Sequence, residues 1–457
     1  MTALWLALLA LGTVVAGLAW LRLHPFLAMM LAAFAVAVAT PEELLLRHAM
    51  AEGMSGEAAE KFAESLAPER VMAAFGRTCG QMGLLIAFAS IIGRCLLDSG
   101  GALRIVRVLL ALFGVARMHI AFVVTGFTLA IPVYFDAVFY LLMPIGKAMA
   151  RTTGRDYLLY VLTIVAGATM AHSLVPPTPG PVFAAKELDV PLAKMMVGGL
   201  VVGLFTAGFG LLYAIWINKR TGIELPREDA AVPASGEIAD RDLPPLWAAL
   251  LPVVIPLGLI GFEAWMDQKF WWTHVTTALA FGAASGLLLL RFWRMPGVDR
   301  PADGVQSAIM SGASILLITA SGGALGSMLR QTDVAGLIQQ FGGGGAGLWA
   351  LVLVFGITAL VRTAQGSATV AMITAAPIAK AFAVAGELGY DPLYLALAVG
   401  CGSKPIPWLN DSGFWVITRM TGMREWQTLK LVTPMMSLMG LAGLPVVVAG
   451  AWLFPLW

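Results

Sequence analysis

The sequence predicts an all-α polytopic membrane protein made of two inverted repeats of five spans, each with one re-entrant hairpin and one broken helix. Three observations predict it. Of the 457 residues, 59% are hydrophobic and 12% charged, against about 25% charged in a soluble domain. Apolar segments long enough for a roughly 30 Å hydrocarbon core recur along the whole chain. The second half also echoes the first at a fixed offset. Shifted by 233 positions, MPIGKAMA (143–150) falls on APIAKAFA (376–383), Tyr157 on Tyr390, Gly167 on Gly400 and Gly180 on Gly413.

Spans are expected near 3–20, 25–40, 76–97, 157–188 and 193–217, then near 246–263, 272–291, 304–329, 388–418 and 429–455. The opening MTALWLALLA has no basic n-region and reads as the start of the first span. Residues 41–70 carry seven acidic and three basic side chains, which places that loop outside. The polar, Pro-bearing stretch 219–245 reads as a cytoplasmic linker between residues 1–218 and 246–457. An odd number of spans per half gives the halves opposite topology, the inverted-repeat plan of secondary transporters.

Two regions, 118–150 and 347–383, break the pattern. In each, apolar arms of about 14 residues flank a polar or proline-containing centre, PVYFD and VRTAQGSAT. At about 1.5 Å per residue such an arm covers about 21 Å, too short to span. Arg117 precedes the first region, and Lys147, Arg151 and Arg155 follow it. Both ends are therefore cytoplasmic, and the segment enters and turns back. The second region is flanked by FGGGG (341–345) and GELGYD (386–391), without a basic cluster, as suits an extracytoplasmic mouth.

Chemistry is expected where the helices break. VPPTPGP (175–181) and SKPIPWLNDSG (403–413) interrupt their spans, because proline lacks the backbone donor. Bare backbone at membrane depth is tolerated only where protein buries it or a wet cavity meets it. Half-helix N-termini there offer free N–H groups and a positive dipole end, suited to an anion. Asp136 sits on the first hairpin tip and Asp411 at the second break. A charge at mid-bilayer costs about 2.5–3.5 kcal/mol, so these carboxyls read as functional, with an ion pair or helix cap as the structural alternative. His172 either shuttles protons or bonds a carbonyl. Gln365, Ser367 and Thr369 either cap the hairpin helices or bind hydroxyls. Lys147 and Lys380, at matched positions, read as snorkelling side chains. Cys79, Cys95 and Cys401 lack metal or disulfide spacing and read as packing residues. No Gly-x-Ser-x-Gly or HExxH motif supports an intramembrane hydrolase.

In LLDSGGALRI (96–105), PVYFDAVFYLLMP (132–144), HSLVPPTPGP (172–181), RTAQGSATVAMITAA (362–376) and NDSGFW (410–415) the chain resembles the gluconate:proton symporter (gluconate permease) family of the ion-transporter superfamily. The resemblance implies an inner-membrane importer of gluconate-like sugar acids or hydroxy acids, driven by protons. It also implies a homodimer in which a transport domain, holding hairpins and broken spans, slides against a scaffold. The expected partners are a small carboxylate, protons and the bilayer, with no cofactor, metal or nucleic acid. Two departures stand out: the family commonly has His where Thr178 stands and often Glu at Asp136.

Substrate contacts are expected from Tyr134, Asp136, His172, Pro177, Thr178 and Gly180 in the first half. In the second half they are expected from Arg362, Gln365, Gly366, Ser367, Thr369, Asn410, Asp411 and Ser412. Arg362 and the helix N-termini would take the carboxylate, since arginine suits bidentate binding; Ser367, Thr369, Asn410 and Asp411 would take hydroxyls. Asp136, His172 and Asp411 are the expected proton carriers. Sodium coupling is the rival within the same class, because Ser, Thr and carbonyl groups at hairpin tips also suit Na⁺. A channel is the other transport alternative, which two opposed hairpins suit less well than alternating access.

Overall fold

A computed structural model describes residues 2–221, 239–266, 270–296, 298, 300–332, 347–384, 388–409 and 411–455, and every regular element among them is helical. The first half runs α1 (Thr2–Val15, continued by a π-helical turn Ala16–Trp20), α2 (Pro25–Ala39), α3 (Glu42–Ala51), α4 (Gly56–Ala63), α5 (Ala67–Asp98) and α6 (Gly101–Phe113). It continues through α7 (Met118–Leu129), α8 (Phe135–Thr153), α9 (Tyr157–Leu174), α10 (Pro179–Glu187) and α11 (Leu192–Asn218). The second half runs α12 (Leu246–Met266), α13 (Val275–Phe292), α14 (Pro301–Arg330), α15 (Trp349–Gln365), α16 (Ala368–Val384), α17 (Leu393–Gly402), α18 (Ser412–Thr421) and α19 (Glu425–Leu453).

Six helical stretches among the described residues are long and apolar enough to cross a membrane: α5, α9 with α10, α11, α13, α14 and α19. Four of the ten expected spans fall short of that test. α1 gives way to its π turn, and α2 bends by 100° into α3. The apolar run of α12 covers Leu246–Phe262, and α17 has ten residues. The hairpin arms α7, α15 and α16 are among the shorter apolar helices, as their lengths predict. Two expectations need correction. The stretch 41–70 is not an open loop but holds α3 and α4, and α6 is an additional element. α6 anchors the chain leading into α12: Arg104 Nε donates to Pro244 O at 2.7 Å, and Arg107 pairs with Asp240. That guanidinium holds the Asp240 carboxyl below the ordinary carboxylate range.

Element starts recur with the offset of the sequence. Phe135 and Ala368, Pro179 and Ser412, and Leu192 and Glu425 open α8 and α16, α10 and α18, and α11 and α19, each pair 233 positions apart. Equivalent helices also pack on one another. A Cβ on Gly304 would collide with Asp98 and one on Gly323 with Thr78, so α14 and α5 run antiparallel at close approach. At the centre lies α9, apolar on every face because protein surrounds it. All of its residues are buried except His172.

Candidate functional site

The two breaks are built differently. Between α9 and α10 the chain turns over Val175 to Thr178, where proline cannot continue the ladder. Thr178 caps the turn, its hydroxyl donating to His172 O at 2.8 Å and Val175 O at 2.9 Å. Between α17 and α18 the interruption is longer, from Ser403 to Asp411. Asp411 is the N-cap of α18, its Oδ1 accepting from Gly413 N at 2.8 Å. At the second hairpin Gly366 takes φ 84° to end α15, and Ser367 Oγ accepts from Val370 N at 3.4 Å.

The two hairpin tips, the second break and the C-terminal end of α9 meet at a cavity of about 570 Å³, within the 300–1,000 Å³ typical of small-molecule sites. It is lined by Tyr134, Asp136 and Tyr140 of the first hairpin, His172 of α9, Ser367 and Thr369 of the second hairpin, and Lys404, Asp411 and Ser412 of the second break. Arg362 reaches it from α15, and Ser311, Ile315 and Ile318 of α14 close one wall. The N-termini of α8, α16 and α18 thus all open on one space. Each carries unsatisfied N–H groups and the positive end of a helix dipole.

Arg362 is committed within the protein. Nη2 donates to Asp411 Oδ2 and Nη1 to Gly366 O, with only 2% of the residue exposed. The Nη groups expected to take a substrate carboxylate thus end on groups of its own chain, one of them a carboxylate, while Nε is buried without a partner among the described residues. Asp411 is likewise engaged at both oxygens, by Arg362 Nη2 and by Gly413 N. Asp136 differs: its carboxylate has no hydrogen bond or ion pair among the described residues. His172 stacks edge-on against Tyr134, ring centroids 6.0 Å apart, and its Nδ1 is buried without a partner among the described residues. The Tyr134 hydroxyl lies 3.1 Å from Ser90 Oγ.

Four further expected contacts are absent from the cavity lining. Thr178 spends its hydroxyl on the two carbonyls, and Gly180 gives room to Met372, 2.8 Å from where a Cβ would stand. Pro177 lines a small crevice behind Tyr134. Gly366 contributes its carbonyl to Arg362 and not to the cavity. Asn410 lies outside the described residues, as does the Gln365 side chain. Lys380 does not simply snorkel, since its ammonium pairs with Asp189.

One charged residue among the described lining residues was not among the expected contacts. Lys404 lies within the quoted break SKPIPWLNDSG, is 2% exposed, and donates from Nζ to Thr169 O at 2.6 Å. A lysine inside a broken span, away from either end, has no interface to snorkel to, and that position was the available signal. Among the described residues no cluster of His, Cys, Asp and Glu is arranged to hold a metal.

An all-helical, apolar chain with a polar cavity among helix breaks is a multi-pass membrane carrier. The chain belongs to the GntP family of permeases, whose family model matches residues 2–453. It is similar to the gluconate permease of Pseudomonas aeruginosa, 28% identical over 442 residues, covering 93% of this chain and 92% of the relative. The low-affinity gluconate transporter of Escherichia coli K12 is 27% identical over 464 residues, 97% of each chain. The Gnt-II system L-idonate transporter of the same organism is 27% identical, covering 85% of this chain and 90% of the relative. In fold, the chain is similar to the Alcanivorax borkumensis YdaH transporter, with a TM-score of 0.64 at 15% identity, over 84% of this chain and 88% of that one. Membership makes the chain a permease and not an enzyme.

Proposed function

We propose that this permease imports gluconate or a similar sugar acid together with protons, by elevator-type alternating access. The carrying observation is the cavity itself, where three helix N-termini and a buried lysine meet two ionisable groups, Asp136 and His172, whose side chains have no hydrogen-bond partner among the described residues. The positive groups suit a carboxylate, and the hydroxyls of Ser367, Thr369 and Ser412 suit a polyol. Asp136 and His172 are the proton carriers, since each combines a titratable group with access to the cavity. The names of the relatives, gluconate and L-idonate transporters, support this substrate class.

Residues 1–218 and 246–457 form inverted repeats joined by a cytoplasmic linker at 219–245. The antiparallel packing of the equivalent helices α5 and α14 supports this, because an in-plane two-fold axis reverses direction. The hairpins and broken spans then form the moving unit of an inner-membrane homodimer.

Uptake of labelled sugar acids into proteoliposomes, with pH and Na⁺ gradients imposed separately, tests the reading. Accumulation of gluconate or idonate under an inward proton gradient is expected. Accumulation only under a sodium gradient would transfer coupling to Na⁺, and no uptake of any acid in the panel would remove the substrate class.

A further inference from the structure

We propose that Lys404, and not Arg362, is the residue that holds the carboxylate of the transported anion. This rests on the reading above that the cargo is a carboxylate. Two cationic side chains line the cavity among the described residues, and they are in opposite situations. Both Nη groups of Arg362 end on protein acceptors, Gly366 O and the Asp411 carboxylate that pairs its charge, while its Nε is buried without a partner among the described residues. An ammonium has three donors. Lys404 uses one, on the neutral carbonyl of Thr169. At 2% exposure it is a buried cation without an anionic hydrogen-bond partner among the described residues, an arrangement that is costly until an anion arrives.

The surroundings favour an anion at this point of the cavity. Lys404 lies close enough to Arg362 and Asp411 to interact with each electrostatically, and His172 lies within the same reach. Arg362 is paired with Asp411, whereas Lys404 bonds only a neutral carbonyl among the described residues. The one acid unpaired among the described lining residues, Asp136, neighbours Asp411. A carboxylate near Asp136 would be repelled, whereas one at Lys404 is attracted. Set on Lys404, a sugar acid directs its polyol chain toward the hydroxyls of Ser367, Thr369 and Ser412, which line the same space.

The test compares gluconate with its neutral amide, gluconamide, by calorimetry on the purified full-length protein. Wild type is expected to prefer gluconate. Lys404→Gln loses about ten- to a hundredfold in gluconate affinity, the scale of a hydrogen bond to a charged group, with its weak amide binding unchanged. Lys404→Arg retains part of the preference. Equal loss for both compounds would reduce Lys404 to a staple on Thr169 and overturn the assignment, as would unchanged gluconate affinity in Lys404→Gln. If the variant does not fold, a gluconate-bound structure of the wild type decides. A carboxylate within hydrogen-bond reach of Nζ supports the assignment, and one seated elsewhere overturns it. Wild type that binds neither compound overturns the sugar-acid reading itself, an outcome distinct from wild type binding gluconate and Lys404→Gln binding it equally.

Discussion

Arg362 and Asp411, 49 positions apart, form a buried ion pair that ties the second hairpin to the second helix break. The same guanidinium bonds Gly366 O, so one side chain links α15, the tip before α16 and the cap of α18. A substrate site assembled from both tips needs that connection to keep its walls in register.

Removing one member of the pair leaves the other as an unpaired buried charge, at a cost of about 3–5 kcal/mol. Arg362→Gln or Asp411→Asn alone should lower unfolding stability in detergent by that order. The double variant should sit closer to wild type than the sum of the singles, because it leaves neither buried charge unpaired. Simple additivity would mean that the two charges do not support each other.

Asp136 should behave differently, since its carboxylate has no hydrogen bond or ion pair among the described residues. Asp136→Asn mimics the protonated carboxyl, so the variant should fold and exchange internal for external substrate, yet fail to accumulate it on a proton gradient. Wild-type accumulation in this variant would move the coupling role to His172. Loss of exchange with loss of fold would make Asp136 structural.

The helices α5 and α14, 233 positions apart, meet the two hairpins at different points. A Cβ on Gly326 of α14 would collide with Pro377 of α16, whereas the equivalent Gly93 of α5 lies under Pro132 O at 3.0 Å. The equivalent of Pro377 is Pro144, which is exposed. Exchange of the two arrangements would bring Pro144 to Gly93, a shift of about 12 residues, or about 18 Å at helical rise. In a cysteine-free background, cysteines at 325 and 378, which line one crevice, should cross-link in the present state. Those at 92 and 145, their 233-position equivalents, should cross-link only in the alternate one, and substrate should shift the balance between the pairs. Both pairs linking together in one molecule would rule out a rigid exchange.

Topology is checked more simply. Cysteines near 117 and 152 should both be labelled from the cytoplasmic face if α7 and α8 form a re-entrant hairpin. Labelling from opposite faces would remove the hairpin, and the inverted repeat with it.

Much of this architecture was legible because proline and glycine act locally. The breaks at Val175–Thr178 and Ser403–Asp411 and the tips before Phe135 and Ala368 stand where the sequence places them. Direction was not legible. Thr178 and Gly180 lie on the expected element, but cap geometry and the contact with Met372 turn them from the cavity. The role of Arg362 depended on a contact across 49 positions, which no local pattern announces. Lys404 was hidden by its company, since a run read for its prolines draws attention from the lysine among them. α3 and α4 were obscured because an acidic, polar stretch reads as loop even where its helices carry apolar faces, with Leu45, Ala49 and Ala59 buried.

The central claim is that an anionic sugar acid and a proton cross together through this cavity. Proteoliposomes loaded with a pH-sensitive dye, at equal internal and external pH and with sodium absent, test it most directly. Addition of external gluconate should acidify the lumen of vesicles carrying wild type, with no such signal from Asp136→Asn. Gluconate uptake by wild type without acidification, or uptake that appears only when sodium is supplied, would contradict the account.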